Sequence, residues 1–243
     1  MRLDLDLSTP WMNAAGTAGF TPPERWPWPE AAGAWVTNPL SLSPRSPAET
    51  RTAVGFPGGA LLHSGLPNPG LSAVLRRNAA AWARSPLPAW AHIFGRTPDE
   101  IHQMVLRLEG VEGVAAIELG ISEELAGKDA LAWVEAASGE LPLVVNLPIE
   151  RASEDWLDAL AQLGVSAISV RGPRGALAGM DGKLVSGRLY GPALLPQMII
   201  ALRQAQPHHL PVIVGAGVYK IEDGKMLLNA GAWGIQLDTI LWL

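Results

Sequence analysis

The 243-residue chain carries 18 Lys+Arg against 23 Asp+Glu, a net charge of −5, a pI near 5.5, no cysteine and 48% hydrophobic residues. That length and apolar content suit one globular domain over 1–243, and the acidic balance excludes a dedicated nucleic-acid binder, whose phosphate contacts need a basic surface. Without a thiol, disulfides, thiolate metal sites and a cysteine nucleophile are excluded as well.

At the N-terminus Leu3, Leu5 and Leu7 alternate with Arg2, Asp4 and Asp6, the pattern of a short amphipathic strand rather than the apolar centre of a signal peptide. No stretch reaches the roughly 20 apolar residues of a membrane span, so the expectation is a soluble, cytoplasmic protein. Short apolar or β-branched runs at 11–15, 34–38, 89–94, 115–120, 142–147, 166–170, 211–215 and 233–237 read as strands. Between them, 71–84, 99–108, 124–137, 153–163, 192–204 and 221–229 place apolar residues every three or four positions, as helices covering a sheet do. Thr97-Pro98-Asp99-Glu100 supplies an N-cap, a first-turn proline and dipole-favoured acids for one of them. The alternation predicts an α/β protein, a (β/α)8 TIM barrel, for which about 250 residues is typical. An open doubly wound sheet is the alternative.

Two connections are long. The segment 38–89 is rich in Pro, Ser and Gly, and 170–192 contains Met180-Asp181-Gly182-Lys183, a hairpin turn through Asp-Gly. Both leave carboxyl ends of strands, the face where such barrels keep their sites. The last strand ends at 237 and the chain at 243, so the barrel reads as truncated after its eighth strand. Apolar surface near Trp233, Ile235, Leu241 and Trp242 then needs cover, from Leu3, Leu5 and Leu7 or from a second copy in a homo-oligomer.

Several segments carry a resemblance in order along the chain: Met12-Asn13-Ala14-Ala15-Gly16-Thr17, Val36 to Arg45, Gly58 to Gly70, Ile117-Glu118-Leu119-Gly120-Ile121-Ser122, Gly191-Pro192-Ala193, Val214-Gly215-Ala216-Gly217 and Ile235-Gln236-Leu237-Asp238-Thr239. Together they resemble the dihydroorotate dehydrogenase family, a (β/α)8 barrel that carries FMN across the carboxyl ends of its strands and oxidises dihydroorotate to orotate. The resemblance implies a catalytic base at Glu123, substrate-binding positions at His63, Arg171, Asn146 and Asn38, and FMN contacts at Ala15, Gly16, His92, Gly191, Gly215, Ala216, Gly217 and Thr239. The residue types depart from the family at the chemistry. Lysines are replaced by Asn38 and Asn146, asparagines by His63, His92, Gly120 and Arg171, and the Cys or Ser base by Glu123. The only lysines are Lys128, Lys183, Lys220 and Lys225, and asparagine cannot neutralise the charge that develops on a reduced flavin.

Each position also has a plainer reading. Gly215-Ala216-Gly217 suits a phosphate loop or an ordinary turn after a strand. Glu123 suits a substitute base or a helix start in Ser122-Glu123-Glu124; as a base it needs a pKa raised toward neutrality. Arg171 and Arg174 suit anion binding or a solvated loop, and His63 and His92 suit hydrogen-bonding to a ligand or simple accommodation. No HxH or HExxH spacing occurs, so no metal is expected. Asp238 stands where the family has a glycine, and a carboxylate repels phosphate, so FMN binding is expected to be weak or absent. The leading reading is a divergent, FMN-dependent oxidoreductase for a small anionic substrate, unsuited to ordinary dihydroorotate oxidation. The alternatives are a non-catalytic barrel that binds an anionic metabolite or a protein partner without flavin, and an active dihydroorotate dehydrogenase of pyrimidine biosynthesis with unusual residues.

Overall fold

The computed structural model describes residues 4–49, 52–179 and 182–243; Arg2 and Leu3 of the N-terminal alternation and Met180 and Asp181 of the expected turn lie outside them. The eight expected strands form as β1 (Trp11–Asn13), β2 (Trp35–Val36), β5 (Ala89–Ile93), β6 (Val114–Gly120), β7 (Leu143–Pro148), β8 (Ala167–Arg171), β11 (Val212–Val214) and β12 (Gly234–Leu237), and four further strands belong to a second sheet. They make one eight-stranded sheet in the order β1-β12-β11-β8-β7-β6-β5-β2, every laddered pair parallel. Helices α1 (Leu71–Ala83), α2 (Pro98–Glu109), α3 (Gly127–Ala137), α4 (Leu195–Ala205) and α5 (Ile221–Asn229) pack outside it. The sheet is barrel-like and nearly closed. No helix among the described residues is long and apolar enough to cross a membrane.

Closure across β1 and β2 uses a side chain in place of a ladder. The fully buried Asn13 donates from Nδ2 to the Val36 carbonyl at 2.7 Å and accepts from the Val36 N–H at Oδ1 at 2.8 Å. Its amide thereby acts as a peptide group of a missing strand residue. A single bridge, Trp11 to Ala32, and the Gly33 N–H donated to the Trp11 carbonyl at 2.8 Å complete the seam.

Two helix expectations need correction. The segment 153–163 forms only a short 3-10 stretch, Asp155–Ala159. Leu157 and Leu160, three residues apart, are both fully buried, a spacing that three residues per turn stacks on one line, and Trp156 is held beneath the Arg151 guanidinium at 5.0 Å. Helix α3 starts at Gly127 rather than at 124, so Ser122-Glu123-Glu124 is a loop after β6 and not a helix start.

The long connections fold together. From the first come β3 (Thr52–Phe56) and β4 (Gly59–His63); from the second come β9 (Arg174–Ala178) and β10 (Leu184–Tyr190). They form a separate antiparallel sheet, β3-β4-β10-β9, in which Arg188 of β10 lies opposite Leu62 of β4. β9 and β10 thus pair antiparallel on either side of the expected turn, of which Met180 and Asp181 lie outside the described residues, whereas β3 and β4 were not legible as strands. At the opposite end, Leu5, Leu7 and Trp233 pack against the apolar interior cluster of the barrel, whereas Trp242, part of the seam expected to need cover, is 53% exposed.

Because Asn13→Leu keeps the bulk but strands a buried N–H and a buried carbonyl of Val36, it is expected to cost about 3 kcal/mol, read as a lower urea midpoint at unchanged slope.

Candidate functional site

Alternation along the strands sorts the barrel interior into tiers. Met12, Trp90, Ala116, Val144, Ala167 and Ile213 form an apolar tier. Two residues further along their strands, with side chains again inward, come His92, Glu118, Asn146 and Ser169, joined by Gln236 from β12. All five are buried. A polar tier therefore lies over an apolar one, toward the carboxyl ends of the strands.

Glu118 is the hub. Its Oε2 lies 2.6 Å from His92 Nδ1, and its Oε1 accepts from Ser169 Oγ at 2.7 Å and from Gln236 Nε2 at 2.6 Å. Complete burial pushes this carboxyl upward, but the hydrogen bond and charge of His92, with the bonds from Gln236 and Ser169, outweigh it and hold the group below the usual carboxylate range. With Glu118 ionised, His92 Nδ1 carries the proton. Gly120 makes room for the ring, since a Cβ there would lie 2.9 Å from His92 Nε2.

The network continues upward. Ser169 Oγ accepts from Asn146 Nδ2 at 2.9 Å, and Asn146 Oδ1 accepts from Arg171 Nη1 at 2.8 Å. Arg171 also donates to the carbonyls of Asn146 and Ile121, and from Nη2 to Glu123 Oε1 at 3.1 Å. Arg188 of the second sheet approaches the same Glu123 oxygen at 3.6 Å. Burial, followed by the like charge of Arg188, brings Arg171 down to about 9, with Glu123 opposing. Its Nε is buried without a partner.

Glu123 therefore does not meet the requirement set for a base. Desolvation raises its pKa, but the charges of Arg171 and Arg188, with its own backbone N–H, prevail and lower it. The position aligned with the family base holds a carboxylate already committed to two guanidiniums.

Asp238, only 4% exposed, sits on β12's carboxyl side beside the glycine loop. Burial raises it to about 6, against hydrogen bonds from the Thr239, Ile240 and Gly217 backbone N–H groups and the Thr239 hydroxyl. The Thr239 hydroxyl is 3.3 Å from Asp238 Oδ1 and 2.6 Å from the Tyr219 hydroxyl. The glycines around this corner serve the chain's own close crossings. A Cβ on Gly215 would meet the Gln236 carbonyl at 1.8 Å, on Gly217 the Leu195 nitrogen at 2.4 Å, and on Gly191 the Gly58 carbonyl at 2.2 Å. Donors that the resemblance assigns to a flavin phosphate thus face an internal carboxylate, and these residues do not fit that phosphate as they stand.

Of the residues singled out from sequence, the structure joins His92, Asn146, Arg171 and Glu123 in one network. It places Gly217 and Thr239 beside Asp238, next to Gly215 and Ala216. Asn38 is used elsewhere, its Oδ1 accepting from the Gly19 N–H at 3.0 Å. His63 ends β4, and strand alternation puts it on the sheet face opposite Leu62, away from Arg188. Ala15 and Gly16 lie in the turn after β1, with Pro39 Cδ 3.8 Å from a Cβ placed on Gly16. Sequence reasoning missed Glu118, Ser169, Gln236 and Arg188. The signal was a carboxylate inside the apolar run Ala115-Ala116-Ile117-Glu118-Leu119, at the same strand parity as its inward neighbours.

A barrel-like parallel sheet with a polar tier at the carboxyl ends of its strands, roofed by its own loops, defines an α/β protein with its site on that face. No family model matches the chain. Among curated proteins it is 31% identical over 264 residues to a "Dihydroorotate dehydrogenase B (NAD(+)), catalytic subunit" of Trichlorobacter lovleyi, spanning 97% of this chain and 84% of that protein. Proteins of the same name from Pelobacter propionicus and Desulforudis audaxviator are 30% and 29% identical over 97% of the chain, covering 84% and 83% of their own lengths. The chain belongs to the dihydroorotate dehydrogenase family.

Two variants probe the buried acids. Burial raises Asp238 to about 6 from an ordinary value of 3.8, so its charged form penalises the fold above that range and the penalty vanishes below the lower value. Asp238→Asn is expected to stabilise the protein by roughly 3 kcal/mol at pH 8, with the gain disappearing near pH 4 in melting curves. Glu118→Leu removes one partner of a buried pair and is expected to cost about 3–5 kcal/mol, measured by chemical unfolding.

Proposed function

We propose that this chain is a cytoplasmic, divergent (β/α)8-type member of the family that binds a small carboxylate at the barrel mouth, holds FMN weakly or not at all, and does not oxidise dihydroorotate in the family's manner. The observation that carries this reading is the convergence of Arg171 and Arg188 on the single carboxylate of Glu123, at 3.1 and 3.6 Å. Arg171 commits its four Nη hydrogens to Asn146, Ile121 and Glu123, so the donors left for a ligand are those of Arg188, which meets Glu123 at a looser 3.6 Å and whose planar fork matches a carboxylate in two-point contact. Glu123, with 30% of its side chain exposed, is the internal stand-in that an incoming carboxylate would displace or share.

Two observations weigh against flavin chemistry. Asp238 occupies the phosphate corner, and the barrel interior holds the fully buried carboxylate of Glu118 with Asn38 and Asn146 at the positions where the family has lysines. A fixed negative charge disfavours the anionic reduced flavin. FMN in its bound form would supply hydride transfer, and the residues present are poorly arranged to support it.

The purified protein is expected to lack visible flavin absorbance and to turn over no dihydroorotate with added acceptors, while orotate, used as a planar carboxylate probe, raises its melting temperature. Arg188→Ala is expected to abolish that rise. Stoichiometric FMN with dihydroorotate-dependent reduction would overturn the reading.

A further inference from the structure

His92 presents a geometry that anion binding alone does not use. Its Nδ1 is fixed on Glu118 at 2.6 Å, and Glu118 is itself held by Ser169 and Gln236 at 2.7 and 2.6 Å. The carboxylate has no freedom to turn away, so Nδ1 donates to it, and in the neutral imidazole Nε2 is the acceptor nitrogen. Among the described residues Nε2 has no hydrogen-bond partner. It packs against Gly120 at the carboxyl end of β6, where a Cβ would lie 2.9 Å from it. The next residue, Ile121, offers its carbonyl to Arg171, so Nε2 and the guanidinium flank the same strand end.

We propose that His92, oriented by Glu118, is the acid–base residue of this site and removes a proton from a carboxylate ligand held at Arg171 and Arg188. The inference rests on the anion reading above. A carboxylate behind an imidazole fixes its tautomer and stabilises the imidazolium that forms. The ligand's C–H bond breaks, the proton goes to Nε2, and the electron pair stays on the ligand, delocalised into an adjacent carbonyl and faced by Arg171 and Arg188. Return of the proton completes the exchange, with no electron acceptor involved. The ligand class is a small carboxylate bearing a C–H next to a carbonyl. Glu123 does not compete for this role while it shares the guanidiniums with the ligand, because their charges lower its affinity for a proton.

Dihydroorotate is a suitable probe, since its ring CH2 lies beside a carbonyl and exchange of that hydrogen in D2O is visible by proton NMR without any redox step. Exchange is expected about 100-fold above buffer, lost in His92→Gln, and strongly reduced in Gly120→Ala, whose methyl would crowd Nε2. Calorimetry is expected to show dihydroorotate still bound by both variants. Imidazole nitrogen spectra of the ligand-free protein are expected to show His92 protonated at Nδ1, and an Nε2–H form would overturn the proposal without any ligand. Binding without exchange, or exchange that survives His92→Gln, would overturn the dyad while leaving the anion reading intact. Failure to bind dihydroorotate would overturn the anion reading and this inference with it. Glu118→Gln adds a positioning test through loss of the Nδ1–H form, and should it fail to fold, Gly120→Ala carries the same question.

Discussion

An ionised carboxylate buried in a barrel interior is among the costliest groups a fold can hold, and the side chains around Glu118 follow from keeping it satisfied. His92 answers from β5, Ser169 from β8 and Gln236 from β12. In the strand order β12 and β6 are four places apart, so one side chain ties opposite walls of the sheet together. Each partner brings its own requirement. Ser169, donating to Glu118, is left to accept, and Asn146 supplies that donor; Asn146 in turn presents its carbonyl oxygen to Arg171. The positions of the mouth residues are thus set from below, by hydrogen-bond bookkeeping that begins at a single acid.

The roof and the barrel meet in the same circuit. The antiparallel sheet made from the two long connections carries Arg188 on β10 and delivers it to Glu123, in the loop after β6. Tyr190, two residues along β10, feels Arg188, Arg171 and Asp238 together, with burial first pushing its hydroxyl upward. Positive groups from the roof and negative groups from the barrel rim therefore share a small, partly dry volume in which charge interactions are stronger than in water.

Much of the fold was legible because the eight barrel strands are short apolar runs whose composition permits little else; Ala89 to Ile93, for example, is buried at every position. The strands β3 and β4 were not, since Gly55, Gly58 and Gly59 break any alternating pattern and the second edge of β4 is closed by β10, more than a hundred residues away. The stretch 153–163 shows the limit of periodicity: an apolar spacing of three or four serves a 3-10 turn as well as an α-helix. At the site, matching against a family pattern found the correct places at His92, Asn146, Arg171 and Glu123, but it asked what each residue replaces and not which face it shares. Strand parity was the missing question, and it would have put Glu118 and Gln236 beside His92. The downward shift of Glu123 was invisible because Arg188 arrives from the roof.

Gly120 and His92 also constrain how such a site could have arisen. The resemblance to the family puts asparagine at both positions, yet a single Cβ at 120 already falls 2.9 Å from the imidazole. A histidine entering first would have met a full asparagine side chain in that space, whereas a glycine entering first leaves only a small void. The order of substitution is therefore steeply biased, small residue before large. Once both are in place, neither changes back alone without either a clash or a cavity, so packing makes the two positions interdependent.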